Sequence, residues 1–95
     1  MASEKDVLML IRENMPFMSK GHKKIAEYVL DRYDEAAFIT AAKVGAKVGV
    51  SESTVVRFAT SIGFEGYPEY QKALAECIRG RLSRVQKMGA VYMFP

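Results

Sequence analysis

Cysteine is nearly missing from this 95-residue sequence: Cys77 stands alone, so no disulfide can form within the chain. That suits a reducing compartment, the cytoplasm. Histidine is equally scarce. His22 has no cysteine or second histidine as a neighbour, so no metal site is expected. Pro16, Pro68 and Pro95 are the only prolines. No apolar run approaches the roughly 20 residues that a membrane helix requires. The opening residues Met1 to Asp6 are polar and mixed in charge, unlike a signal peptide. There is no alternating strand pattern, no internal repeat and no low-complexity tract. The pair Gly63 and Gly66 lacks the lysine and the strand of a phosphate-binding loop. Asp31, Asp34 and Glu35 read as a charged helix end, and Cys77 as a small apolar residue on a helix stripe. With no nucleophile–base pair, metal cluster or cofactor loop, neither catalysis nor a cofactor is expected.

What is present is helical periodicity with uneven charge. The net charge is +3. Acids dominate from Glu27 to Glu35, where Glu27, Asp31, Asp34 and Glu35 face Arg32 alone. Bases dominate from Lys72 to Lys87, where Lys72, Arg79, Arg81, Arg84 and Lys87 face Glu76 alone. Such asymmetry suits a molecule with one side toward a polyanion, and equally a solvated helix face. His22 sits within Lys20 to Lys24 and reads as a solvated residue of an exposed basic turn, with a phosphate contact by this cluster as the alternative reading.

Capping residues divide the chain. Ser3, with Asp6 three residues on, suits the start of a first helix that carries Val7, Leu8, Ile11 and Met15 on one face and ends at Pro16. Ser19 opens a second, with Ile25, Ala26, Val29, Leu30 and Tyr33 as its stripe. Thr40 opens a short helix over Ala41 to Val48. Ser51 opens another through Ile62, which Gly63 can close in the left-handed conformation. Pro68 suits the first turn of a last helix with Tyr70, Leu74, Cys77, Ile78 and Leu82 as its stripe. That helix is expected to reach Val85, and Gly89 to Pro95 shows no periodicity.

The stretch Thr40 to Gly63 has the layout of a helix-turn-helix: two short helices with hydroxyl caps and a tight Gly49-Val50-Ser51 turn. Gly49 can take positive φ, Val50 can plug the angle between the helices, and Ser51 can accept from the free N–H groups behind it. In the second helix Val55, Phe58, Ala59 and Ile62 are expected to pack inward. Ser53, Thr54, Arg57, Thr60 and Ser61 are expected to face outward. The second helix of this motif enters the major groove, where Arg57 can pair bidentately with guanine. Ser53 lies one turn before it. Glu52 can accept from a cytosine amino group or simply be solvated. Thr40, Lys43, Lys47, Ser51, Thr54, Thr60, Ser61 and Tyr67 are the expected contacts to the DNA backbone. Tyr67 and Tyr70 are also expected to pack where the last helix begins. Hydroxyl caps, a glycine turn and an amphipathic helix also occur in bundles that bind no DNA.

The run Val50-Ser51-Glu52-Ser53-Thr54-Val55-Val56-Arg57-Phe58, continuing to Ile62-Gly63-Phe64-Glu65-Gly66-Tyr67, closely resembles the N-terminal domain of the RpiR family of bacterial transcription regulators. Ser19 followed by Ile25-Ala26-Glu27-Tyr28-Val29-Leu30 resembles that family's second helix. The likeness covers nearly the whole chain. It implies an all-α domain of about five helices with a central helix-turn-helix, and DNA-contacting roles for Ser51, Ser53, Thr54 and Arg57. It departs from the family at Val44-Gly45, where Leu-Ala is usual. Gly45 inside a helix costs about 1 kcal/mol relative to alanine, and either serves close packing or weakens the helix.

The resemblance also implies a homodimer on a palindromic operator and a C-terminal sugar isomerase-like (SIS) domain that senses a phosphorylated sugar. Residues 1–87 are accordingly expected to be the DNA-binding domain, and 88–95 the start of a linker to a SIS domain absent from this chain. Val85, Met88, Val91, Tyr92, Met93 and Phe94 are candidates either for a subunit contact or for a surface that the other domain covers. The function expected is sequence-specific binding of double-stranded DNA in transcription regulation, in sugar or phosphosugar metabolism. A protein-docking module is the rival reading.

Overall fold

Local capping chemistry decides where most of the helices begin. The computed structural model describes residues 6–93, and the side chains of 6–80. Helix α1 (Val7–Asn14) starts at Asp6, whose carboxylate accepts from the Met9 N–H at 2.8 Å. Asp6 is thus the cap itself, rather than the partner of a cap at Ser3, which lies outside the described residues. Pro16 falls in a 3-10 turn, Met15–Phe17, that ends α1. Helix α2 (Lys20–Asp31) starts at Ser19, whose Oγ accepts from the His22 N–H at 3.3 Å.

Helix α2 ends earlier than its apolar stripe suggests. Arg32 leaves the helical region at φ −129°, ψ 49°, and a one-turn helix α3 (Tyr33–Ala36) follows. Tyr33 therefore belongs to α3. The break is held by a contact across it: the Tyr28 hydroxyl donates to Glu35 Oε1 at 2.8 Å. Helix α4 (Ala41–Val48) is capped by Thr40, which accepts from the Lys43 N–H at 3.1 Å. Helix α5 spans Glu52–Ser61, and α6 spans Tyr67–Met93 with Pro68 in its first turn. The described residues form an all-α fold. Helix α6 runs on past Val85, the end expected from the sequence. The side chains of Val85, Met88, Val91, Tyr92, Met93 and Phe94 lie outside those described.

The core lies between α1, α2, α4 and α5 and is closed by α6, which packs on α1, α3 and α5. Ile11, Ile25, Val29, Val44, Val55, Phe58, Tyr70 and Leu74 are fully buried, and no charged or polar side chain is buried among the described residues. Ala26, Ala36, Ala37, Ala41 and Ala59 are buried too. Their short side chains let the helix axes approach closely. Tyr70 is the hub on α6. Phe58 and Phe64 each meet its ring edge-on at 6.0 Å, and Tyr67 lies tilted at 5.4 Å. Such pairs add roughly 0.5–1.5 kcal/mol beyond burial.

One carbonyl ties α6 to the start of α4. Ile39 O accepts from the Tyr67 hydroxyl at 2.7 Å and from Gln71 Nε2 at 2.8 Å. Ile39 precedes the Thr40 cap, so α6 fixes the point from which α4 sets out.

Candidate nucleic-acid interface

Two glycines shape the α4–α5 turn, for different reasons. Gly49 has φ 83°, in the left-handed region, and ends α4. The Gly45 carbonyl accepts from the Gly49 N–H at 2.8 Å and the Val50 N–H at 2.9 Å, which closes the helix end. Gly45 itself is helical but pressed against the chain beyond the turn. A Cβ there would stand 2.5 Å from the Val50 carbonyl oxygen. Close packing is therefore the reason for glycine at this position, and it is what allows α5 to cross α4 so tightly.

Ser51 then opens α5. Its Oγ accepts from the Thr54 N–H at 3.2 Å. It also lies 2.8 Å from Thr54 Oγ1 and 3.1 Å from Ser53 Oγ, so a hydroxyl cluster stands at the exposed start of the helix. At the other end Gly63 has φ 109°. The Phe64 N–H reaches Ala59 O at 3.2 Å and the Gly63 N–H reaches Thr60 O at 3.1 Å, a Schellman closure.

The faces of α5 divide as its periodicity indicates. Val55, Phe58, Ala59 and Ile62 are buried. Glu52, Ser53, Arg57, Thr60 and Ser61 are exposed, and Thr54 is half-buried. Glu52, Ser53, Val56 and Arg57 line one open depression on the outer face. The residues expected to read bases thus lie together, with half-buried Val56 as the apolar member among them.

The expected backbone contacts fall into two groups. Lys43 is exposed, and its ammonium makes no ion pair among the described residues. Ser51 and Thr54 share the hydroxyl cluster, and Thr40 stands exposed at the start of α4. The others are engaged within the fold. Lys47 Nζ lies 3.4 Å from Glu35 Oε2. The Glu35 carboxyl is held below its ordinary pKa, first by the Tyr28 hydrogen bond and then by the Lys47 charge. The Thr60 hydroxyl donates to Arg57 O at 2.9 Å, and the Ser61 hydroxyl to Phe58 O at 2.8 Å. The Tyr67 hydroxyl proton is committed to Ile39 O, the ring is buried, and burial pushes its pKa up to about 12. A phosphate oxygen needs a donor, and these three hydroxyls spend theirs inside the molecule.

His22 is placed differently from the sequence expectation. It is half-buried, and its ring meets Phe58 edge-on at 5.8 Å. Burial, and then the charge of Arg57, push its pKa below the ordinary value. The start of α2 therefore lies beside α5. Nothing in the local sequence around Lys20–Lys24 signals this neighbour, because the contact joins residues more than thirty positions apart.

Residues 5–80 match the family described as the helix-turn-helix domain of the rpiR family. An uncharacterized HTH-type transcriptional regulator of Escherichia coli, YfhH, is 34% identical over 71 residues, which is 75% of this chain and 25% of that protein. The HTH-type transcriptional regulator HexR of Pseudomonas aeruginosa is 34% identical over 74 residues, 78% of this chain and 26% of its own length. The solved structure of Vibrio vulnificus NanR complexed with ManNAc-6P superimposes with a TM-score of 0.76 at 30% identity, over 90% of this chain and 33% of that one. The chain thus spans about a quarter of the length of the curated relatives it matches.

Proposed function

The chain belongs to the rpiR family of helix-turn-helix domains, and on that premise we propose that it is the sequence-reading DNA-binding domain of a transcription regulator. One observation carries the reading: α5 buries its inner face completely and leaves Glu52, Ser53, Val56 and Arg57 together on an open outer face behind a tight turn. A helix of this kind fits the major groove, which is about 12 Å wide. Arg57 pairs with guanine there, with Ser53 and Glu52 reading neighbouring base edges. Ser51, Thr54, Thr40 and Lys43 fix the helix pair on phosphates. Lys47 joins them by exchanging Glu35 for phosphate. Tyr67, Thr60 and Ser61 support the frame. The role is binding, not catalysis, and the site of action is the DNA of a bacterial cytoplasm.

Salt dependence tests the reading. Binding of this chain to duplex DNA should weaken as salt rises, log K falling by about 0.9 per phosphate contact per decade. Binding to a protein partner with no such slope, and none to duplex DNA, would instead favour a docking module.

The finer picture rests on the relatives. NanR was solved with ManNAc-6P, a phosphorylated sugar. We place this domain in a longer regulator of sugar or phosphosugar metabolism that binds a phosphorylated sugar through a C-terminal SIS domain. It acts as a homodimer on a palindromic operator, with half-sites about 34–36 Å apart or a multiple of that. Calorimetry of the full-length regulator with phosphorylated sugars tests the effector, and no heat of binding to any of them would refute it.

A further inference from the structure

We propose that Lys20, Lys23 and Lys24, at the start of α2, form a second DNA-contacting edge that grips the sugar–phosphate backbone beside α5. The inference rests on the reading of α5 as the groove helix.

The start of α2 runs along one edge of α5. A Cβ at Gly21 would stand 3.7 Å from Thr54 Cγ2 and 3.8 Å from Val50 Cγ1, at the beginning of α5. His22 meets Phe58 one turn on. Ser19 and His22 share an open depression with Ser61, near the end of α5. A helix with its side chains is about 10–12 Å across, so it fills a major groove about 12 Å wide. Whatever packs against its flank meets the groove wall, and that wall is sugar and phosphate.

Charge matches this placement. Lys20, Lys23 and Lys24 are exposed, and their i, i+3, i+4 spacing puts them on one side of α2. No acidic residue occurs from Met15 to Ala26. Arg57, on the reading face, is close enough for its charge to act on His22. Of the acids of α2, Asp31 ends this helix of 12 residues, about 18 Å long, and Glu27 lies one turn past Lys23 and Lys24 on the same exposed side. The first turn of α2, beside α5, is therefore basic, and the acids begin only at Glu27. These lysines sit at a distance in sequence from the helix-turn-helix, and their place beside α5 turns the alternative reading of this basic cluster into the favoured one.

The test is a triple variant, K20A/K23A/K24A, titrated by fluorescence anisotropy against a preferred duplex and a scrambled one over a salt series. Alanine is at home in a helix, and a melting curve checks the fold. The single variants are measured alongside, in case the triple one is destabilised. The expected result is weaker binding to both duplexes alike, with the salt slope reduced by about 0.9 for each phosphate no longer neutralised, up to about 2.7. The ratio of affinities for the two duplexes should stay unchanged. Replacement of the same lysines by arginine should restore the wild-type slope. A folded alanine variant with unaltered affinity and slope would overturn the edge while leaving α5 as the reader. If the parent chain binds no duplex at all, the reading of α5 fails, and the edge with it.

Discussion

The two faces of α5 carry different obligations. The inner face, with Val55, Phe58, Ala59 and Ile62, is buried, and α5 packs against α2, α4 and α6. The outer face, with Ser53 and Arg57, is open to solvent. Stability therefore depends on the inner face and, on the proposed function, partner choice depends on the outer one. On that reading the outer face of α5 can change what it recognises without changing the fold.

The inner face is most vulnerable at Phe58. Its ring lies between His22 and Tyr70. Phe58→Ala should cost about 3–5 kcal/mol of stability, read by urea denaturation. DNA binding should then be lost only because the domain unfolds. Next comes Gly45→Ala. Alanine favours a helix by about 1 kcal/mol, yet its Cβ would meet the Val50 carbonyl oxygen, so a net loss of about 1–3 kcal/mol is expected. A variant as stable as the parent would show that the close approach of α4 and α5 does not need glycine.

Arg57→Ala should sharpen the contrast from the other side. The melting temperature should hold, while binding to the preferred duplex weakens by about 1–3 kcal/mol and preference flattens at the position it reads. Equal weakening on every duplex would make Arg57 a phosphate contact instead. Ser51→Ala touches both obligations modestly. Loss of the cap should cost about 1 kcal/mol of stability, visible as a small drop in melting temperature.

The smallest effect lies at the seam between the faces. Folding lowers the His22 pKa, so the unfolded chain binds the proton more tightly and stability should fall slightly as pH drops through the ordinary histidine value of 6.5. Arg57→Ala should move the native His22 titration, followed by proton NMR, back toward that value. No movement would mean that burial alone sets it.

These pairs of residues also show what was legible in the sequence. The caps Ser19, Thr40 and Ser51 stand where they were expected, because a cap reaches only three residues along the chain. Gly49 and Gly63 adopt the left-handed conformation for the same local reason. The bounds Ala41–Val48 and the inward set on α5 follow from periodicity. Contacts across the fold were not legible. The Tyr67 hydroxyl reaches Ile39, 28 positions away, and His22 reaches Phe58. The Gly45 contact belongs to neighbouring segments, but it depends on the crossing of two helices rather than on composition. The break at Arg32 is held by Tyr28 and Glu35, a pair that looks like ordinary surface residues when read alone. Local chemistry thus revealed the motif and also commits the Thr60 and Ser61 hydroxyls to carbonyls three residues back, whereas tertiary packing commits that of Tyr67.

The most direct test of the outer face as a DNA reader is selection of binding sites by this chain from a random pool of duplex DNA at moderate salt. The parent should enrich one sequence, and Arg57→Ala should lose preference at one position of it. A pool that stays random for the folded parent, and for a version forced to dimerise, would contradict the assignment of this face.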